Sequence, residues 1–196
     1  MKVLLASGNR GKLQELRDIF RNTPIELFSC AESGIPLPHV EETGATYLEN
    51  ARLKAGALAD ISGLPALADD SGLEVDTLGG APGIRSARFA GAGATDAKNT
   101  AKLLAEMADS PDRSARFRCV LVVAWPGGES CSSEGILPGR IAATARGTNG
   151  FGYDPVFVLP DGRHLAELAP GEKNAISHRS VAARNMVEVL VSAGKI

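Results

Sequence analysis

Short apolar runs alternate with helical patterns along the first part of this chain, and that alternation restricts the fold more than any other feature. Residues 3–6 predict a short buried strand, and Leu13, Leu16 and Phe20 follow it at the spacing of one helix face. Residues 66–68 predict another buried strand that runs into an acidic pair. Such alternation of strand and helix is typical of α/β proteins.

A hairpin interrupts this alternation later in the chain. Residues 115–125 are the best strand candidate, and the turn at residues 126–129, Pro-Gly-Gly-Glu, leads into a further strand. Antiparallel strands combined with strand–helix units indicate a sheet of mixed direction. We therefore expect an α/β fold in which helices flank a mixed β-sheet.

The composition excludes several classes of protein. The chain has 196 residues, of which 44% are hydrophobic and 22% charged, so it is an ordinary globular protein rather than a disordered one. That length fits one domain, residues 1–196, which we expect to be built as two lobes. The net charge of -2 argues against a polybasic surface for nucleic-acid polymers or membranes.

Cysteine usage and the short apolar runs predict a reducing compartment. Cys30, Cys119 and Cys131 are an odd number without CxxC spacing, so they predict neither a disulfide framework nor a zinc site. The run at residues 3–6 is too short for the core of a signal peptide, and the run at 119–125 is too short to cross a membrane. We therefore expect a cytoplasmic protein without a membrane partner.

A segment rich in small residues joins the first strand to the first helix. It reads Ser7-Gly8-Asn9-Arg10-Gly11-Lys12. Small residues let the backbone approach a ligand, and the N–H groups of a helix N-terminus together with a lysine favour phosphate. The segment does not match a Walker A loop, because it has Ala6 and Leu13 where that motif has glycine and a hydroxyl residue. A plain strand-to-helix turn is the alternative explanation.

Two acidic pairs are candidates for binding a metal ion. Asp69 and Asp70 follow a buried strand, where a carboxylate can hold Mg²⁺ or deprotonate a water. Adjacent strand side chains point to opposite faces, so only one of the two naturally faces a cleft. An Asx turn or helix cap is the alternative for this pair. Glu41 and Glu42 precede a helix, where a favourable dipole interaction or simple solvation also explains them.

An aromatic loop follows in the last third of the chain. Its sequence is Phe151-Gly152-Tyr153-Asp154-Pro155, without helical or alternating spacing around it. Exposed rings on such a segment can stack on a nucleotide base. A hydrophobic plug that closes the core is an equally good explanation.

The last candidate segment is predicted to open the C-terminal helix. In it, Lys173 and Ser177 are i, i+4 neighbours, and His178 and Arg179 add two hydrogen-bond donors. A solvated helix start is the alternative. A clamp on a polyphosphate would need this cluster together with Lys12.

Several short segments between residues 7 and 179 occur together in a fixed order. They are Ser7-Gly8-Asn9-x-x-Lys12, Glu41-Glu42-Thr43-Gly44, Glu49-Asn50-Ala51, Ala68-Asp69-Asp70-Ser71-Gly72-Leu73, Gly79-Gly80-Ala81-Pro82-Gly83-Ile84, Phe151-Gly152-Tyr153-Asp154-Pro155 and Glu172-Lys173-Asn174-x-Ile176-Ser177-His178-Arg179. Each segment alone is a weak signal, but the ordered set is highly specific. It resembles the inosine triphosphate pyrophosphatase family, whose bacterial members are dITP/XTP pyrophosphatases.

The resemblance implies a long mixed β-sheet flanked by helices, two lobes around a central substrate cleft, and a homodimer. It also implies hydrolysis of ITP, dITP and XTP to the monophosphate and pyrophosphate, which removes deaminated purines from the nucleotide pool. Mg²⁺ is the implied cofactor. No nucleic-acid polymer and no membrane is implied as a partner.

Roles for individual residues also follow from the resemblance. Asp70 is the implied base that activates water, and Glu41 and Asp70 are the implied metal ligands, with Asp69 as a supporting ligand. The residues implied to hold the triphosphate are Ser7, Gly8, Asn9, Arg10, Gly11, Lys12, Ser71 and Lys173. The residues implied to form the base pocket are Phe151, Gly152, Tyr153, Asp154, His178 and Arg179.

Two rival functions differ from this hypothesis in substrate or in class. A septum-formation-type nucleotide pyrophosphatase would act on other bases, and the aromatic loop and the Ser177-His178-Arg179 segment argue against it. A non-catalytic nucleotide-binding module would keep the fold without turnover. The intact pair Asp69-Asp70 argues against that second rival.

Overall fold

The computed structural model describes residues 1–196, with the exception of the side chain of Arg10. The chain divides into two compact units, and the expectation of a single two-lobed domain stays a prediction. The first unit comprises Met1–Asp70, Cys119–Gly135 and His178–Ile196. The second unit comprises Ser71–Arg118 and Ile136–Ser177.

The strands form one six-stranded sheet of mixed direction. In chain order they are β1 (Lys2–Leu5), β2 (Glu26–Ser29), β3 (Ala66–Val75), β4 (Ser114–Ala124), β5 (Ser130–Ile141) and β6 (Phe157–Val158). Their order across the sheet is β2-β1-β3-β4-β5-β6. Strand β1 pairs in parallel with β2 and β3, whereas β5 and β6 are antiparallel. The predicted α/β class with a mixed sheet is confirmed.

Helices flank this sheet, and polar side chains cap the first turn of three of the longer ones. The helices are α1 (Arg10–Phe20), α2 (Cys30–Ser33), α3 (Tyr47–Ser62), α4 (Asp96–Glu106), α5 (Pro170–Ile176) and α6 (His178–Ser192). Asn9, Thr46 and Thr95 precede α1, α3 and α4, and each side chain accepts a hydrogen bond from a backbone N–H in the first turn. Such caps satisfy donors that have no partner within the helix.

Strand β3 is longer than the sequence patterns predict. It continues through the acidic pair to Val75 instead of ending at Ala68. Leu73 and Val75 lie on either side of the more exposed Glu74 and are fully buried in the core of the second unit. This burial extends the strand, so the two aspartates lie within it rather than at its end.

The basic segment near the C-terminus is divided between two helices, contrary to the prediction of one helix start. Ser177 has extended backbone angles, with φ -60° and ψ 156°, and its N–H donates to the carbonyl of Lys173. Lys173 therefore lies at the end of α5 in the second unit, while His178 and Arg179 begin α6 in the first unit. Serine is favoured at such helix boundaries because it bonds to the backbone in non-helical conformations.

Each unit has its own apolar core. In the first unit, Leu5, Phe20 and Leu67 pack with residues of α6 such as Met186. In the second, the core includes the side chains of Leu73, Leu103, Phe117, Phe157 and Leu165. None of the helices in the described residues has the length and apolar character needed to span a membrane.

Burial predicts different reactivity for the three thiols. Burial raises the pKa of Cys30 and Cys119, which disfavours the reactive thiolate, whereas Cys131 is partly exposed. We expect the native protein to release one equivalent of thionitrobenzoate rapidly from Ellman's reagent, and the protein in guanidinium to release all three. Cys131→Ser should remove the rapid phase. A rapid phase of equal size in that variant would contradict this assignment.

Candidate functional site

The predicted phosphate segment forms the turn from β1 into α1. The side chain of Asn9 accepts a hydrogen bond from the Lys12 N–H at 3.1 Å, and the Asn9 N–H donates to the hydroxyl of Ser7 at 3.2 Å. Gly8 and Gly11 are exposed. The segment is thus a capped turn at a helix N-terminus, where N–H groups and the helix dipole favour an anion. The side chain of Arg10 lies outside the described residues.

Lys12 belongs to a chain of alternating charges in the first unit, which we call the α1 charge network: Lys12, Asp69, Arg179 and Glu15. The Lys12 ammonium lies 2.8 Å from Oδ2 of Asp69, and Nε of Arg179 donates to the same oxygen at 3.4 Å. Nη1 of Arg179 donates to Oε2 of Glu15 at 3.1 Å. The network therefore links α1, β3 and α6.

This network keeps Asp69 ionised although the side chain is buried. Burial by itself raises the pKa of Asp69, but the charges of Lys12, Arg179 and Lys54 outweigh it and hold that pKa well below its usual range. An opposite charge within a few ångströms favours the ionised carboxylate in this way. Asp69 is thus a fixed anion that organises cations around it.

Arg179 and His178 were predicted to read the base. His178 is buried at the start of α6, and a Cβ atom at Gly135 would lie 2.1 Å from its carbonyl oxygen, so β5 packs directly against this turn. The guanidinium of Arg179 bonds to Asp69 and Glu15. Base recognition by these two residues stays a prediction.

Asp70 points away from that network and contacts helix α3. Nδ2 of Asn50 donates to Oδ2 of Asp70 at 3.2 Å, and the ammonium of Lys54 lies 3.6 Å from Oδ1. Asn50 and Lys54 are four residues apart, so they lie on one face of α3. The alternation of β3 thus sends its two aspartates to different partners, as expected for neighbours on a strand.

The surroundings of Asp70 shift its proton affinity upward. Burial raises the pKa of Asp70 and the charge of Glu42 adds to this, while Lys54 opposes it. Lys54 itself stays protonated, because the three nearby carboxylates outweigh its burial and raise its pKa. A carboxylate with a raised pKa is a better proton acceptor, which is the property that a general base needs.

Glu42 is the acidic residue next to this group. Its Oε1 lies 2.9 Å from the Lys54 ammonium, so Glu42 and Asp70 face the same cation. Glu41, the predicted metal ligand, is exposed, and its side chain has no hydrogen bond or ion pair with the residues that the structure describes. The position of the segment is set by Gly44, whose N–H donates to Oδ1 of Asn50.

The donor set suits a hard divalent cation, with two carboxylates supplied by the protein. Asp70 and Glu42 offer carboxylate oxygens, the kind of ligand that Mg²⁺ prefers, and they already converge on the ammonium of Lys54. Within the described residues no group of three His, Cys, Asp or Glu side chains could hold a metal. Mg²⁺ usually keeps several waters and bonds to substrate phosphates, so two carboxylates are sufficient for such a site.

In the second unit, the aromatic loop is joined to Lys173. The Lys173 ammonium lies 2.6 Å from Oδ2 of Asp154 and 4.8 Å from the ring centroid of Phe151. The same Asp154 oxygen accepts the N–H of Phe151 at 3.0 Å. A Cβ atom at Gly150 would come within 2.0 Å of that oxygen, so only glycine fits there. The structure thus brings Phe151, Asp154 and Lys173 together.

The two aromatic residues of this loop differ in environment. Tyr153 is buried in the core and its hydroxyl donates to the carbonyl of Ser86 at 2.8 Å, so the plug explanation describes Tyr153. The ring of Phe151 is partly exposed. Between them, the Gly152 N–H donates to the carboxylate of Asp96 at 2.7 Å. Ser71 is half-buried on β3.

Sequence reasoning missed three polar residues of the first unit as candidates, Glu15, Asn50 and Lys54, and it offered Glu42 only as one member of the pair with Glu41. A signal existed for two of them, because Asn50 and Lys54 are polar residues at i, i+4 spacing next to the apolar stripe of α3. Glu15 follows Lys12 by three residues on one helix face. No local pattern distinguishes Glu42 from Glu41.

Comparisons with known proteins cover almost the whole chain. A family model described as the Ham1 family matches residues 3–189. A dITP/XTP pyrophosphatase of Streptococcus pyogenes serotype M3 is 49% identical over 191 residues, which are 95% of this chain but only 58% of that relative. A dITP/XTP pyrophosphatase of Desulfotalea psychrophila is 49% identical over 181 residues, covering 92% of this chain and 81% of that protein. The solved structure of a HAM1 protein from Coxiella burnetii has a TM-score of 0.87 at 44% identity, covering 98% of this chain and 99% of its own.

Proposed function

We propose, because this chain belongs to the Ham1 family, that it hydrolyses deaminated purine nucleoside triphosphates to the monophosphate and pyrophosphate. That membership confirms the resemblance drawn from the ordered segments. The relatives named dITP/XTP pyrophosphatase support ITP, dITP and XTP as the substrates. A homodimer and a cytoplasmic location stay predictions. The observation that carries the proposal is the buried Asp70, whose raised pKa and charged neighbours suit a general base.

In the proposed reaction, Asp70 accepts the proton of the water that attacks the α-phosphorus. Asn50 holds one oxygen of this carboxylate by a hydrogen bond, which fixes its orientation. Lys54 stays charged at 3.6 Å from the other oxygen and keeps the carboxylate ionised at neutral pH. The bond between the α-phosphorus and the oxygen that bridges to the β-phosphate breaks, and pyrophosphate leaves with that oxygen.

We propose that Asp70 and Glu42 hold the metal ion, with Glu42 in the place predicted for Glu41. Asp69 is engaged with Lys12 and Arg179, and we propose it as an organiser of cations rather than a ligand. When bound, Mg²⁺ would polarise the water and offset negative charge on the leaving pyrophosphate.

The remaining predicted residues fall into a group suited to bind phosphate and a group suited to bind the base. We propose that the N-terminus of α1, residues 7–12, binds phosphate through backbone N–H groups and the Lys12 ammonium. We propose that Ser71 and Lys173 also donate hydrogen bonds to the phosphates. In the second unit, the partly exposed ring of Phe151 is suited to stack on a purine. The Asp154 carboxylate orients Phe151 by accepting a hydrogen bond from the backbone N–H of that residue.

A panel of purine triphosphates tests this function. We expect pyrophosphate release with Mg²⁺ from ITP, dITP and XTP, with kcat/KM at least about a hundredfold above that for ATP, because adenine lacks the 6-keto acceptor. Release of orthophosphate instead of pyrophosphate would contradict the proposed bond cleavage. Binding of ITP without turnover would favour the non-catalytic module.

Substitution of each neighbouring glutamate separates the two candidate metal ligands. We expect Glu42→Gln to lower kcat/KM for ITP by about tenfold or more and to raise the Mg²⁺ concentration needed for half-maximal rate, because a carboxylate facing the site is lost. Glu41→Gln should change both quantities much less. If Glu41→Gln raised the Mg²⁺ requirement and Glu42→Gln did not, the assignment of Glu42 would be wrong.

A further inference from the structure

The α1 charge network returns to the helix on which it starts. Lys12 and Glu15 lie one turn apart on α1, and between them the network passes through Asp69 on β3 and Arg179 on α6. Both cations contact one oxygen, Oδ2 of Asp69. The position of the Lys12 ammonium therefore depends on how Asp69 divides its charge between Lys12 and Arg179.

Glu15 affects how the charge of Asp69 is shared between Lys12 and Arg179. It is 7% exposed and supplies the second carboxylate contact of Arg179, which is 3% exposed. With Glu15 in place, the charge of Arg179 is shared between two buried carboxylates in a region of low dielectric constant. Without the charge of Glu15, Arg179 would lose one carboxylate contact, would be drawn more strongly to Asp69, and would compete with Lys12 for the shared oxygen.

We propose that Glu15 is a positioning residue which, through Arg179 and Asp69, fixes the Lys12 ammonium for the phosphates of the substrate. The proposal rests on the function proposed above insofar as Lys12 is a phosphate ligand. An ammonium fixed before binding loses less side-chain entropy on contact with phosphate than a mobile one does. Glu15 therefore acts on the triphosphate and not on the base.

The first test is Glu15→Gln, which keeps the shape of the side chain and removes its charge. We expect kcat/KM to fall about tenfold, the scale of one hydrogen bond to a charged group, and to fall by the same factor for ITP and ATP. Asp18→Asn is the matched control. Asp18 lies one turn further along α1, and among the side chains that the structure describes it bonds only to Gln14 and Arg21, so the kcat/KM of this variant should stay within about twofold.

A double-mutant cycle with Lys12→Met distinguishes positioning from a general structural role. If Glu15 acts through Lys12, then Glu15→Gln should cause no further loss of kcat/KM in the Lys12→Met background. Losses that multiply, or a larger loss for ITP than for ATP, would overturn the proposal. Thermal unfolding of each variant checks that the protein remains folded. If Glu15→Gln unfolds, Glu15→Asp replaces it in the cycle, because the shorter side chain weakens the contact with Arg179 and the same outcomes apply.

Binding of inorganic triphosphate, measured by calorimetry, makes the test independent of hydrolysis. We expect Glu15→Gln to raise Kd about tenfold in the wild-type background and not at all in Lys12→Met. If the wild-type protein released no pyrophosphate from any nucleotide, the proposed function would fail while these binding data still decided the role of Glu15. Unchanged triphosphate affinity in Glu15→Gln, or no binding by the wild-type protein, would overturn the positioning role.

Discussion

Replacing Asp70 with asparagine should lower kcat for ITP by at least about a hundredfold, because a positioned general base contributes that much or more. The change is nearly isosteric, and the new amide oxygen can still accept the hydrogen bond from Asn50. The groups proposed to bind phosphate, such as Lys12, are not altered. Nucleotide affinity, measured by calorimetry without Mg²⁺ because Asp70 is also a proposed metal ligand, should therefore stay within a few-fold of the wild-type value.

A matched control for this substitution is Asp60→Asn on the exposed surface of α3, which should leave kcat unchanged. A rate for Asp70→Asn above about a tenth of the wild-type kcat would show that Asp70 is not the base. A large loss of nucleotide affinity with little loss of kcat would assign Asp70 to binding instead.

Replacing Arg179 with methionine should lower the free energy of unfolding by about 3 kcal/mol, because it leaves buried carboxylates without their shared cation. Asp69 and Glu15 both lose a contact, and both are buried. Urea denaturation at pH 7 measures the effect. The control is Arg163→Met, which removes an exposed guanidinium paired with Asp161 and Glu172, and it should leave the free energy of unfolding nearly unchanged.

The difference in free energy of unfolding between the wild-type protein and Arg179→Met should depend on pH in a defined direction. The pKa of Asp69 is held below its usual value of about 3.9, so its ion pairs stabilise the folded state above that pH, and this stability is lost as the pH falls further. We therefore expect the gap between the wild-type protein and Arg179→Met to narrow as the pH is lowered from 7 towards 3. A gap that widened over this range would contradict the assigned role of the Asp69 charge.

Local sequence patterns predicted the fold class and the mixed direction of the sheet correctly. Alternating apolar runs and helix faces, together with the hairpin turn at residues 126–129, indicated an α/β fold with a mixed sheet. Thr46 followed by Glu49 is a sequence pattern typical of a helix start, and the structure places Thr46 at the N-cap of α3. These features depend on backbone geometry and on neighbours within one helical turn or one strand, so the local sequence contains them.

The boundaries that the patterns missed depend on burial elsewhere in the chain. Strand β3 runs past Asp70 because Leu73 and Val75 pack into a core whose other members are distant in sequence. The segment after Lys173 breaks at Ser177, so one predicted helix became two. Local propensity is a weak determinant where packing of this kind competes with it.

The chemistry-bearing residues show the same division. The sequence by itself determined which residue types were present and, through the ordered segments, the family to which they belong. Only the tertiary structure decided that Arg179 pairs with Glu15, 164 residues away, and that Glu42 rather than Glu41 meets Lys54. An ion pair of this kind forms where the folded chain brings two opposite charges within a few ångströms of each other and shields them from water. No spacing along the sequence encodes that distance.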